Sequence, residues 1–122
     1  MSLQLEHDAH DGIHVVAVSG ELDVAGAAEV RTALALATSG RAGALVLDLS
    51  DVSFIDSTGL GTLLRADDRL RADGVRMIVV CPPGPVQRLL AMTRLDGHLA
   101  LEGDRPAALT RARTASSDAV DG

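Results

Sequence analysis

Ala44-Leu45-Val46-Leu47-Asp48-Leu49, followed shortly by Phe54-Ile55-Asp56-Ser57-Thr58-Gly59-Leu60-Gly61, is the stretch on which the fold turns. The first six residues read as a buried strand, because a short and almost wholly apolar run suits a strand covered on both faces. From about Thr58 to Arg71, Leu60, Leu63, Leu64 and Leu70 recur at helical spacing, and Arg65, Asp67, Asp68 and Arg69 are expected to face water. A small hydroxyl residue, Ser57, thus lies where a strand-side loop becomes a helix. Backbone N–H groups are unpaired at such a junction, and the helix dipole favours negative charge there. Ser57 can be a helix cap, a nucleophile or a residue that receives a phosphate. From position alone the cap is the simplest reading, and Asp56 is a second candidate for that role.

The flanking sequence extends this strand–helix unit in both directions. Residues 3–7 read as a first strand, His10-Asp11-Gly12 as a tight turn, and Ile13–Val18 as a second strand, apolar apart from His14 and therefore central. Gly20-Glu21-Leu22-Asp23 reads as a turn or loop. Val30, Ala33, Leu34 and Ala37 mark a helix over about 25–37, stopped by Ser39-Gly40. Asp73-Gly74 ends the helix that follows the central strand. Val75–Cys81 is another apolar strand, broken by Pro82-Pro83-Gly84-Pro85. Val86, Leu89 and Leu90 belong to a helix over about 85–94, and Leu99–Leu101 forms a last short strand. Asp104-Arg105-Pro106 opens a final helix with Leu109 and Ala112 inside. Residues 1–114 are expected to form one domain and 115–122 a flexible tail. The order predicts an α/β fold: a mixed β-sheet with an N-terminal hairpin and then parallel strands, covered by about four helices. In such sheets, loops at the C-terminal ends of the parallel strands carry the sites. Asp56 and Ser57 lie on one, and Asp23 is expected to reach the same edge.

Composition narrows the chemistry. The chain has 122 residues, 47% of them apolar, with one Phe and no Tyr or Trp, so stacking on nucleic-acid bases is nearly excluded. A net charge of -6 argues against a phosphate-backbone reader. All eleven basic residues are Arg. The absence of Lys removes P-loop and Schiff-base mechanisms. Cys81 is the sole cysteine, and no cysteine–histidine spacing suits zinc. With no basic and apolar leader and no apolar run near the roughly 20 residues that span a bilayer, the expectation is a cytoplasmic protein without a membrane or direct nucleic-acid partner.

Each candidate site has a bland and a sharp reading. A nucleophilic Ser57 needs a base and an oxyanion hole. No sequence signal brings His7, His10, His14 or His98 to it, which disfavours an enzyme. As a phosphoacceptor, Ser57 has glycines at 59 and 61 that permit close backbone approach. A phosphate there would add about -1.5 to -2 charge beside Asp56 and Asp23, changing the surface without melting the fold. Asp48 or Asp56 as an aspartyl phosphoacceptor would lack the lysine that such sites use. Asp23 can simply cap the following helix. Met77, Cys81 and Met92 are expected in the core, and His14 as a satisfied sheet residue.

The run Leu47-Asp48-Leu49-Ser50-Asp51-Val52-Ser53-Phe54-Ile55-Asp56-Ser57-Thr58-Gly59-Leu60-Gly61, together with Gly20-Glu21-Leu22-Asp23, strongly resembles the STAS family, specifically its stand-alone bacterial anti-sigma factor antagonists. Pro85-Val86-Gln87-Arg88-Leu89-Leu90 with Leu95 resembles the family's third-helix region, and the similarity spans roughly residues 3–113. The resemblance implies a protein that, unphosphorylated, binds an anti-sigma factor serine kinase and frees a sigma factor for transcription. It implies Ser57 as the phosphoacceptor and a PP2C-type phosphatase that reverses the modification. It further implies Asp23 at the kinase contact, and Asp56, Thr58, Gly59 and Gly61 as the residues that shape the loop. No cofactor belongs to the chain; ATP and Mg²⁺ would be the kinase's. Two other roles fit the same family: a subunit of a stress-sensing or lipid-transport assembly, and a nucleotide- or small-ligand-binding domain.

Overall fold

The computed structural model describes residues 3–10, 12–37 and 43–121. β1 (Gln4–His10) and β2 (Ile13–Leu22) form an antiparallel hairpin. β3 (Ala44–Ile55), β4 (Arg76–Val80) and β5 (Ala100–Glu102) extend it in parallel, in the spatial order of the sequence. The helices are α1 (Val24–Ala37), α2 (Ser57–Ala72), α3 (Pro85–Met92) and α4 (Arg105–Asp121), with a 3₁₀ turn at Leu95–Gly97. The mixed sheet and four helices match the expected architecture. Gly12 takes a positive φ of 82° at the hairpin turn, a backbone state that glycine adopts without steric cost. Asp11, Ser39 and Gly40 lie outside the described residues.

Alternation along the strands divides the core in two. Val16, Val18, Leu45, Leu47 and Val79 point to one face and meet Val30 of α1, Leu63 of α2 and Leu90 of α3. Val15, Val46, Ile78 and Val80 point to the other, where α4 covers them with Ala108, Leu109 and Ala112. Each fully buried Val or Leu contributes about 1.5–3 kcal/mol of transfer free energy, so the sheet is held mainly by these two layers. The same parity turns Asp48 towards α4. There its Oδ2 accepts from Arg105 Nε at 2.9 Å, and its Oδ1 accepts from the Ser50 backbone N–H at 2.9 Å and the Ser50 hydroxyl at 2.5 Å. These bonds pin the start of α4 to β3 and leave the Asp48 carboxylate covered, so it offers no open phosphoacceptor.

The structure departs from the sequence reading at several points. β2 continues through Gly20, Glu21 and Leu22, which the sequence suggested as a loop, and β3 continues through Asp51–Ile55. These extensions pair with each other, Ser19 beside Asp51 and Leu22 beside Ile55, through register shifts between Ala17 and Ser19 and between Gly20 and Glu21. Gly20, at φ 96°, relieves the second irregularity. β4 pairs with β3 only as far as Asp48 beside Val80, and β1 with β2 only as far as Gln4 beside Ser19, so past Ser19 β2 and β3 project as a two-stranded ribbon. Asp67 does not face water: it is buried, and its Oδ2 accepts from Arg71 Nη2 at 2.7 Å. Met92 is not core but 81% exposed, because α3 ends there with its buried side taken by Val86 and Leu90. α4 runs into the stretch from residue 115 expected as a tail, which contains no proline or interior glycine to stop a helix.

Met77 and Cys81 are buried as expected. Burial pushes the Cys81 thiol above its ordinary pKa, which keeps it protonated and poorly nucleophilic at neutral pH. Iodoacetamide should therefore label Cys81 slowly in native protein and rapidly in guanidinium; comparable native and denatured rates would contradict its position. His14 also finds a partner, its Nδ1 lying 2.9 Å from His7 Nε2 across the hairpin.

Candidate functional site

The ribbon ends with Leu22 beside Ile55, and each strand then enters a helix through an aspartate. Asp23 Oδ1 accepts from the backbone N–H groups of Ala25 at 3.1 Å and Gly26 at 3.2 Å at the start of α1. Asp56 is the N-cap of α2, its backbone extended and its Oδ1 accepting from the Gly59 N–H at 2.8 Å. The two turns are joined directly, because the Asp56 N–H donates to the Leu22 carbonyl at 3.3 Å. Asp23 and Asp56 thus lie at the same edge of the sheet, as the sequence expected, and both act as caps.

Ser57 is therefore not the cap. It is the first residue of α2, exposed, and its hydroxyl makes no hydrogen bond among the described residues. The physical reason is the division of labour with Asp56, whose carboxylate already takes the third helical N–H, the bond a capping serine would otherwise accept. Asp56→Ala should cost about 1 kcal/mol of stability, whereas Ser57→Ala should change it by less than about 0.5 kcal/mol. Chemical denaturation of the two variants checks this, and a larger loss for Ser57→Ala would return the capping role to the serine.

Gly59 and Gly61, alike in sequence, do different things. Gly59 is buried, and a β-carbon there would lie 2.4 Å from the Leu22 carbonyl oxygen and 2.8 Å from Ile55 Cγ1. The first turn of α2 rests directly on the end of β2, and only glycine allows that approach. Gly59 therefore serves the site by fixing the two loops together rather than by offering contact surface. A β-carbon at Gly61 would meet only the Arg65 guanidinium, at 3.1 Å; Arg65 folds back over this bare position. Thr58 is half-buried, and its carbonyl accepts from the Thr62 hydroxyl at 2.9 Å.

The surroundings are acidic and partly apolar. Asp23, Asp51 and Asp56 cluster on the ribbon and its turns without an arginine or histidine within ion-pair distance among the described residues. Val24, the first residue of α1, is 71% exposed, and Phe54 on the ribbon is 49% exposed. Exposed large apolar side chains beside a polar rim characterise protein contact surfaces. Sequence reading missed both. A bulged strand breaks the strict alternation that would have revealed which way Phe54 points.

A model of the STAS domain matches residues 4–108. The chain belongs to the STAS domain family. An anti-sigma F factor antagonist from Paenibacillus polymyxa is 34% identical over 117 residues, covering 95% of this chain and all of that protein. The crystal structure of an anti-sigma factor antagonist from Mycobacterium paratuberculosis superposes with a TM-score of 0.79 at 33% identity, over 92% of this chain and 95% of that one. The Bacillus cell-fate determinant SpoIIAA in its phosphorylated form shares the fold, with a TM-score of 0.65 at 23% identity over 90% of this chain and 98% of that one. The STAS architecture accounts for the mixed sheet and for the placement of the Asp23 and Asp56 turns at one end. No helix among the described residues is long and apolar enough to cross a membrane.

Proposed function

We propose that this STAS domain is an anti-sigma factor antagonist, a regulatory binding protein and not an enzyme, switched by phosphorylation of Ser57. The observation that carries the reading is the free, exposed Ser57 hydroxyl on the first turn of α2, with the cap supplied separately by Asp56. A kinase can take that oxygen without dismantling the helix, since no native bond of the hydroxyl is lost. The named relatives support the antagonist role. In the unmodified state the Asp23 and Asp56 turns, with Val24 and Phe54 beside them, dock on an anti-sigma factor of the serine-kinase type and release its sigma factor. Transfer of the γ-phosphoryl from ATP to Ser57 Oγ, with the Pγ–O bond to the leaving ADP broken and the hydroxyl proton lost, adds about -1.5 to -2 charge to an already acidic surface. A PP2C-type phosphatase would remove it, and the cycle would run in the cytoplasm.

The test is to incubate the protein with ATP and the histidine-kinase-like anti-sigma factors of its own genome and to map phosphate by mass spectrometry. Stoichiometric label on Ser57, lost in Ser57→Ala, is expected. Equal labelling of Ser57→Ala, or no binding and no labelling by any of these kinases, would sink the reading.

A further inference from the structure

We propose that the groove between α1 and α2 is a binding site for a free anionic amphiphile, a single aliphatic chain bearing a carboxylate or phosphate head. A cavity of about 430 Å³ lies between these helices, within the range of small-molecule sites. Its floor is apolar, from Leu34 on α1 and Ala66 and Leu70 on α2. Around it stand Arg31 from α1 and Arg65 and Arg69 from α2. None of the three has an acidic partner among the described residues, whereas Arg71, Arg105 and Arg111 are all paired.

This arrangement is unusual for a chain of net charge -6. Like charges on facing helices repel, and seventeen acidic residues were available to neutralise them. Three arginines without an ion-pair partner among the described residues, lining one groove with an apolar floor, are complementary to an anion attached to hydrocarbon. Guanidinium groups bind carboxylate and phosphate through paired N–H donors, which suits a head group held between Arg31 and the Arg65–Arg69 row. Arg65 and Arg69 are one turn apart and so share a helix face. Asp73 lines the groove as well, and its carboxylate repels a second anion, so the ligand has one charged end. The lining contains no aromatic ring, which favours an aliphatic body over a nucleobase.

Calorimetry and ¹⁵N-resolved NMR with dodecyl phosphate and dodecanoate, both kept below micelle formation, test the assignment. Expected are saturable one-to-one binding and chemical-shift changes centred on residues 31–35 and 65–73. Dodecanol and inorganic phosphate should each bind at least about tenfold more weakly, lacking one half of the recognition. Arg31→Gln combined with Arg69→Gln, at exposed positions that leave the fold intact, should weaken dodecyl phosphate by roughly tenfold or more. No binding at millimolar amphiphile, unchanged affinity in the double variant, shifts centred on Phe54 and Met92 instead, or tighter binding of a nucleoside triphosphate would each overturn it. None of these results touches the Ser57 reading, which rests on other residues.

Discussion

Gly59→Ala should destabilise the protein by about 3 kcal/mol, the upper end for overpacking, and lower its melting temperature by roughly 10 °C. The added methyl would meet the Leu22 carbonyl at 2.4 Å and Ile55 at 2.8 Å. Neither can retreat cheaply. Leu22 is the last residue of a paired strand and accepts from Asp56, and Ile55 is a core residue on the neighbouring strand. The relief available is for α2 to lift away from β2, which breaks the contact that holds the two turns in register. Gly61→Ala is the internal control. Its methyl meets only the mobile end of Arg65, and replacing glycine inside a helix gains about 0.5–1 kcal/mol. Opposite signs for two glycines two residues apart, read by chemical denaturation, would establish that the loop junction and not the glycine content governs stability. Equal effects would show that α2 tolerates displacement.

Phosphorylated Ser57, or Ser57→Asp as its partial mimic, should bind the anti-sigma partner at least about a hundredfold more weakly, or about 3 kcal/mol, because mismatched charge at an interface costs several kcal/mol. Stability should remain unchanged or rise by about 0.3–1 kcal/mol, since a negative group at a helix N-terminus is favourable. The dissociation is therefore predicted to occur with the fold intact. Calorimetric titration of the partner, paired with thermal unfolding of the two forms, separates the outcomes. Unchanged affinity refutes the charge switch. A large loss of stability on modification would show instead that the switch works by melting α2.

The sequence was a good guide where local chemistry and tertiary packing agree. The element order, the strand–helix unit around residues 44–71, the capping of the last helix by Asp104 and the placing of Asp23 and Asp56 at one sheet edge all followed from apolar spacing and turn residues. It was a poor guide to the ribbon. Gly20-Glu21-Leu22 and Asp51-Val52-Ser53 carry the composition of loops, and only their pairing with each other, through two register shifts, makes them strand. Asp67 likewise looked solvated, because its burial depends on Arg71 four residues on and on His98 far along the chain. At the site, the pattern Asp56-Ser57 left two oxygens competing for one cap. Geometry assigned it to the aspartate, since a cap must precede the first helical residue.

The joining of both helix starts to one ribbon end has a kinetic consequence. Asp23, Asp56 and the Leu22–Gly59 contact leave no slack between Ser57 and the sheet. A modification made there has no lid to open and no segment to refold before it is felt. A regulator of this build carries no conformational lag of its own. If Ser57 is phosphorylated as proposed, the response time would be that of the enzymes that write and erase the phosphate and of the partner leaving the surface, and stopped-flow dissociation of the modified complex should follow a single exponential.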